Sequence, residues 1–466
     1  MPQAPPPRAA APVVQSRRDP RPLLQRRPMQ SSVLPASQHS IAHDPPALRV
    51  LCIAAGVLLA ILPLAHVTAL RNTLVAILIA TALLQFRLAP WKNVPGVAQW
   101  LIWLAFAATS IGWSALPDAS FQSFRTDQFY PFIIFLVSFV LVEALGGRLA
   151  FAIGATAGTL LCVATMVAAF ALGSEPDAAL QPGVLGWLAW KAGAAPDSNT
   201  YIAFVAVPLY RVVVTARDAW RRTAAAVCVV IFAALGYLSE SRTLIATLFV
   251  SLIGFLMAFG ILRGTLHWKS VLAIAVLGSI VSAGCIELIS RARLPESRPA
   301  DYSVALEMIA SDSRPAIWAA YYELVQKHPW LGVGLGRSVP SRAYHLEDDA
   351  TLRRIDTQAG AHGHNLLLDL LLEVGIVGLA IWLWLHYEIL RLAWQRALGG
   401  GEGQKAWAAG AVALVIALLV KNSTNDLAVY GNAILFWALL GAMLGLTWRR
   451  EEVVVEAVLP RRSVPG

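Results

Sequence analysis

The chain is poor in charge. Only 14% of its 466 residues are Asp, Glu, Lys or Arg, against 57% hydrophobic residues and a mean hydropathy of +0.60. Soluble globular chains carry about 25% charged residues, so this composition excludes an ordinary water-soluble domain and points to a polytopic membrane protein. Cysteine is scarce as well. Cys52, Cys162, Cys228 and Cys285 all fall in apolar runs, where they read as small hydrophobes and supply neither a disulfide framework nor a metal-ligand set. A Gly-rich nucleotide loop is missing, so ATP-driven transport has no support. The acidic run Glu347-Asp348-Asp349 has no ligands at defined spacing around it; it reads as a solvated loop rather than a divalent-cation site, and no metal or cofactor is expected.

What the chain has in abundance is apolar runs of bilayer length. They lie at about 48–66, 72–87, 97–115, 130–146, 149–172, 200–215, 223–239, 243–262, 270–290, 366–388, 406–421 and 431–448, about twelve spans in an all-α fold. The net charge of +9 fits cytoplasmic anchoring better than nucleic acid, because the basic residues sit between the runs and at the ends. With the Pro-rich tail of residues 1–46 and its Arg8, Arg17, Arg18, Arg21, Arg26 and Arg27 inside, the clusters Arg87/Lys92, Arg148, Arg211–Arg222, Arg263/Lys269, Arg391–Lys405 and Arg449/Arg450 all fall on the same side. Both termini are then cytoplasmic. The tail reads as disordered, and it lacks the apolar core and cleavage site of a secretory signal.

Two outer connections are long. Residues 173–200 carry Trp187 and Trp190, suited to the membrane interface. Residues 291–365 form a large loop with as many basic as acidic residues, and within it Ala305, Met308, Ile309, Ile317, Ala320, Tyr321 and Leu324 recur at helical spacing. The expectation is a helix over 301–327, stopped by Pro329 and the glycines of LGVGLG. The domain plan is therefore a tail (1–46), nine spans (47–290), a mostly helical loop (291–365), three spans (366–448) and a second cytoplasmic tail (449–466).

Chemistry concentrates where that loop re-enters the membrane, in GAHGHNLLLDLLLEVGIVG (Gly360–Gly378). If the apolar part is one helix, Asn365, Asp369 and Glu373 share a face, with His364 at its mouth and Glu373 about 13 Å below it. Carboxylates at that depth are costly in lipid and mark a cavity. His364 is suited to proton transfer near neutral pH if a neighbour, Asp369 or His362, orients it; a capping histidine is the plainer reading. Arg242, in SESR at the outer start of the eighth span, and Arg125, before the fourth, stand against the positive-inside tendency. Each is an anion ligand with a bidentate fork, or a snorkelling side chain, Arg242 then pairing with Glu240. Arg314, beside Pro315 and Trp318, is a third such group or a helix-end ion pair. Lys421, Asn422 and Asp426 close the eleventh span on the same outer face.

The order His364-Asn365, nine residues, then Gly375-Ile376-Val377-Gly378 resembles the signature of the bacterial O-antigen ligase family, a group that also holds O-antigen polymerases and protein O-oligosaccharyltransferases. HPWLGVGLG (His328–Gly336), the Arg314–Trp318 segment and the SESR at Arg242 resemble the same group in the same order. The resemblance implies a C-type-like membrane glycosyltransferase of the bacterial inner membrane, working on the periplasmic face. Its donor would be an O-antigen glycan on undecaprenyl diphosphate and its acceptor a lipid A-core sugar hydroxyl. Its roles fall on Arg242, Arg314 and Arg125 as diphosphate ligands, on His364 as base, and on Asn365, Asp369, Glu373, His362 and Trp318 as supports. Charge stabilisation of a diphosphate leaving group needs no metal, and in-line displacement at the anomeric carbon inverts it. Two alternatives remain: a polymerase or protein-directed transferase of the same group, and, from another class, a polysaccharide or lipid transporter. The transporter would require paired broken helices in two similar halves, and no such internal repeat is visible.

Overall fold

The computed structural model describes residues 46–84, 93–143, 147–172, 184–191, 195–239, 241–266, 314–350, 362–424 and 430–449, with isolated positions between 267 and 313 and at 352 and 360. Its elements are α1 (Pro46–Ile61), α2 (Thr68–Leu84), α3 (Val97–Ser110), α4 (Pro117–Ser123), α5 (Tyr130–Glu143), α6 (Arg148–Leu172), α7 (Val184–Lys191), α8 (Ala195–Thr215), α9 (Ala219–Leu238), α10 (Arg242–Arg263), α11 (Arg314–Val325), α12 (Ser338–Ala343), α13 (Leu366–Leu398), α14 (Glu402–Lys421) and α15 (Tyr430–Trp448). No β-sheet occurs among the described residues. Seven helical stretches are long and apolar enough to cross a bilayer, and three shorter apolar helices accompany them. The protein is a polytopic, all-helical membrane protein. The ninth expected span and the first part of the expected loop helix, 301–313, lie outside the described residues; the part that is described, α11, is helical as expected.

Burial ranks the helices. α15 is the most enclosed of the seven, with 83% of its most apolar window buried, whereas α6 and α9 bury 28% and 22% of theirs. Apolar side chains all round α15 make that possible, because every face finds protein. Its Trp437 ring lies 4.4 Å from Trp100 of α3 and 5.6 Å from Phe135 of α5, and Phe436 lies 5.6 Å from Phe204 of α8. Each such pair adds about 0.5–1.5 kcal/mol beyond its buried area, so α3, α5 and α8 are fastened around one central helix.

The helix ends sort into two groups. At one end Arg263 meets Glu402 at 2.8 Å, Arg396 donates to the Trp448 carbonyl, and Arg211 lies 4.3 Å over the Trp407 ring. At the other end, Tyr430 N–H donates to Asp127, Asn432 to Asp197, Ser239 to Asn199, and Leu366 N–H to the Asn422 carbonyl. α10 leaves at the first end, while α11 packs beside α13 at the second. Two boundaries differ from expectation. The fourth span begins early, at Pro117, because α4 runs into α5 through π-helical turns at Phe124–Phe129. The tenth extends to Leu398 rather than 388 and is interrupted.

Candidate functional site

The interruption in α13 falls at Gly375, whose φ of 65° and ψ of −172° suit glycine alone. Without a helical turn there, two donors and two acceptors lose their partners along the helix and need others. The segment His328–Gly336 supplies all four. Ile376 N–H donates to Pro329 O (2.8 Å) and Val377 N–H to Trp330 O (3.2 Å), while Leu372 O accepts from Val333 N–H (3.1 Å) and Glu373 O from Gly334 N–H (2.9 Å). The two glycine-bearing motifs are thus one interlocked unit. Contact is so close that a Cβ on Gly375 would lie 2.3 Å from the Trp330 carbonyl, and one on Gly332 2.4 Å from that of Glu373.

This corrects the single-helix picture. Leu366–Val374 is a short arm of its own, within which helical spacing still holds as far as Glu373; the break follows it, and the strap His328–Gly336 packs against its end. Asp369 and Glu373 do share a face, as the spacing predicts, and both are buried. Asn365 is not on that face. It is the N-cap, its Oδ1 accepting from Leu367 and Leu368 N–H and its Nδ2 donating to Ser423 O (3.2 Å).

The histidine turn precedes the arm. Asp369 Oδ1 accepts from Gly363 N–H at 2.7 Å, and Glu373 Oε2 from Gly336 N–H at 2.8 Å, so each carboxylate pins one loop. His364 has a left-handed φ of 52°, uncommon for a residue with a Cβ and a form of strain that gathers at functional sites. Its N–H donates to His362 Nδ1 (3.0 Å), and the two rings lie 4.0 Å apart. His362 Nδ1 accepts, so the proton of its neutral ring is on Nε2. Burial, reinforced by the nearby Arg337 and His364, holds His362 well below the ordinary histidine range. His362 is therefore the neighbour in contact with His364, while Asp369 acts through the backbone of Gly363.

Cations converge on the same end of the bundle. Arg242 opens α10 behind the N-cap Ser241, and the next residue, Thr243, shares a 2.8 Å hydrogen bond with Thr424, one residue from the Ser423 that Asn365 holds. Arg314 opens α11 within electrostatic reach of Lys421, which is 1% exposed; Asp197 acts on both Lys421 and Arg337. Trp318 is half-buried on α11. Arg125 is exposed on the π-helical segment, two residues before Asp127, and like Arg242, Arg314 and His364 it is not among the residues lining the central cavity. Glu240 and Asp426 lie outside the described residues. No group of three or more His, Cys, Asp or Glu able to hold a metal occurs among the described residues.

The cavity has about 630 Å³ of empty space, counting its open mouth. Arg337 and Ser123 stand in its lining with Asp369 and Glu373 of the short arm, Asp127 and Gln128 of the π-helical turns, and Trp382 and His386 of the long arm. Sequence reading passed over Arg337, Asp127, Gln128, Asp197 and His386. His386 alone had a usable signal, an ionisable residue in the middle of an apolar run.

Residues 227–383 match the family model described as O-antigen ligase. The chain carries an O-antigen ligase family domain. No curated protein matches the chain. The matched O-antigen ligase region takes in α10, α11, the strap and the break at Gly375, so Arg242, Arg314, His364 and Glu373 all lie inside it. α14, α15 and the π-helical wall, which complete the cavity, lie outside.

Proposed function

We propose that the protein is an O-antigen ligase of the bacterial inner membrane, transferring a glycan from undecaprenyl diphosphate to a lipid A-core sugar hydroxyl on the periplasmic face. The observation that carries this reading is the chain of contacts Asn365–Ser423 and Thr424–Thr243, which ties the histidine turn to the start of α10 and so sets His364 and Arg242 at one end of the bundle. Arg242 and Arg314, with Lys421 and Arg337 nearby, offer fixed positive charge to the diphosphate. His364 takes the proton of the acceptor hydroxyl. The hydroxyl oxygen bonds to the anomeric carbon as the bond from that carbon to the phosphate oxygen breaks. The diphosphate leaves on its lipid with both electrons of that bond, and the configuration inverts. Desolvation by the surrounding protein strengthens the cation–diphosphate interaction.

Topology supports the same side. The end holding Arg211, Arg263, Arg396 and Lys405 is cytoplasmic by the positive-inside tendency, which leaves the histidine turn outside. α10 ends at the basic end and α11 begins beside the histidine turn at the other.

The test is His364→Ala, which is expected to abolish glycan transfer while binding of the lipid-linked donor stays within about threefold. Arg242→Ala is expected to weaken donor binding instead. Undiminished surface glycan in His364→Ala would remove the base assignment. A deletion strain separates ligase from polymerase: bare lipid A core with long carrier-linked chains marks the ligase, core bearing one repeat the polymerase.

A further inference from the structure

Below the cations, the floor of the cavity is built for something other than phosphate. His386, on the long arm of α13, is 4% exposed, and its Nδ1 lies 2.9 Å from the Trp382 carbonyl oxygen. A carbonyl only accepts, so Nδ1 carries the proton and Nε2 of the neutral ring is an acceptor. That Nε2 is buried and has no hydrogen-bond partner among the described residues, although the residue lines the cavity. Leaving a buried acceptor without a donor is unfavourable, so the site is completed by a ligand that donates. Around it are rings: Trp382 at 4.0 Å, Trp437 at 5.0 Å and Phe436 at 6.0 Å.

The remaining lining selects among ligands. Asp127, Asp369 and Glu373 face the same space, with Arg337 as the one cation among the lining residues. Three carboxylates against one guanidinium oppose a phosphate there, so the diphosphate stays at the mouth. An isoprenoid chain has no donor for His386 and would desolvate three carboxylates without return. Gln128 spends its Oε1 on the Trp103 indole N–H (2.8 Å) and keeps its NH₂ group as a donor. Acceptors therefore predominate and are set against aromatic faces. A neutral polyhydroxylated ring answers both, with hydroxyl donors at its edge and C–H groups on its face.

We propose that this cavity is a sugar subsite that holds one neutral pyranose ring, a hydroxyl of which donates to His386 Nε2 while its C–H groups meet the aromatic edges of Trp382 and Trp437. The proposal rests on the transferase reading for the source of the ring, which is either the first sugar of the lipid-linked donor or the terminal sugar of the acceptor. The chemistry of the subsite is the same for both.

Saturation-transfer NMR on the full-length protein in detergent, with methyl α-D-glucopyranoside and methyl α-D-galactopyranoside as probes, tests it. Saturation of ring protons is expected for wild type, with at least a fivefold loss in His386→Phe and partial recovery in His386→Gln, whose amide oxygen accepts. Wild-type thermal stability of the variants checks the fold. Steady-state kinetics then identify the source. A rise of about tenfold in KM for the donor alone assigns the donor's sugar, and the same rise for the acceptor alone assigns the acceptor's; either supports the subsite. It is overturned if wild type shows no saturation and His386→Phe leaves both KM values unchanged, the cavity then holding water only, or if saturation survives intact in His386→Phe. Binding of undecaprenyl diphosphate without sugar separates the two readings. Loss of that binding in Arg242→Ala with a silent His386→Phe leaves the transferase standing alone; retained carrier binding with glycoside binding through His386 leaves the sugar subsite alone.

Discussion

Gly375→Ala is the sharpest perturbation of the scaffold, because one methyl group meets the junction of two motifs. Alanine at a φ of 65° and ψ of −172° is strained by about 1–3 kcal/mol. Its Cβ would also lie 2.3 Å from the Trp330 carbonyl, a contact that backbone must relieve by moving. If the strap withdraws, the bonds from Ile376 and Val377 to Pro329 and Trp330 go with it, each worth about 1 kcal/mol net. Relief and retention are alternatives, so the expected loss is about 3 kcal/mol rather than the full sum. A helix-promoting alanine cannot recover this, since restoring the regular ladder would orphan Val333 and Gly334 N–H in turn. The assay is paired: thermal unfolding in detergent, and glycan transfer in a strain lacking the wild-type copy. Gly399→Ala serves as control, at a φ of −92° with nothing within 4 Å of the added Cβ; it is expected to stay within about 0.5 kcal/mol of wild type. Wild-type stability and transfer in Gly375→Ala would refute the reasoning about the interlocked strap.

Asn365→Ala removes both a helix cap and the bond to Ser423; a loss of about 1–2 kcal/mol is expected by denaturant unfolding, with a fall in transfer that Asn365→Asp only partly restores, since aspartate caps but cannot donate. Asp369→Ala leaves Gly363 N–H buried without its acceptor, so a loss of about 1–3 kcal/mol is expected, with Asp369→Asn milder. His362 links stability to pH. Its folded form resists protonation while the unfolded chain takes up a proton near the ordinary value of 6.5, so the unfolded state binds more protons below that pH. Stability is full above about pH 6.5 and declines as pH falls, by about 1 kcal/mol over the unit beneath it. Unfolding of His362→Gln at pH 7.5 and 5.5 should lack that component.

The helical class was legible because hydropathy over long windows reports lipid contact directly. So was the face shared by Asp369 and Glu373, since four-residue spacing holds within the short arm whatever follows it. The break at Gly375 was not legible. VGIVG reads as continuous apolar helix because hydropathy counts side chains, whereas the interruption concerns backbone donors and acceptors whose partners come from a segment about 40 residues earlier. The nearest hint was that two glycine-bearing motifs resembled the same family. Asp127 and Gln128 were not legible for a related reason: the π-helical turns that direct them to the cavity, while Arg125 stays exposed, leave no mark in hydropathy.

The division of charge within the site follows from that architecture. A continuous tenth span would place Asp369 and Glu373 in the membrane with no loop to hold. The break lets the short arm meet the strap and the histidine turn, so that each carboxylate accepts a backbone N–H, from Gly363 and Gly336. Arg337 follows Gly336 directly and is thereby carried to the cavity mouth. Arg337 therefore lines the cavity together with Asp127, Asp369 and Glu373, while Arg242 and Arg314 stand at the same end of the bundle outside that lining. Under the proposed transfer, a diphosphate-borne glycan would turn its anionic linkage toward Arg242 and Arg314 and its neutral sugar toward the acceptor-rich lining.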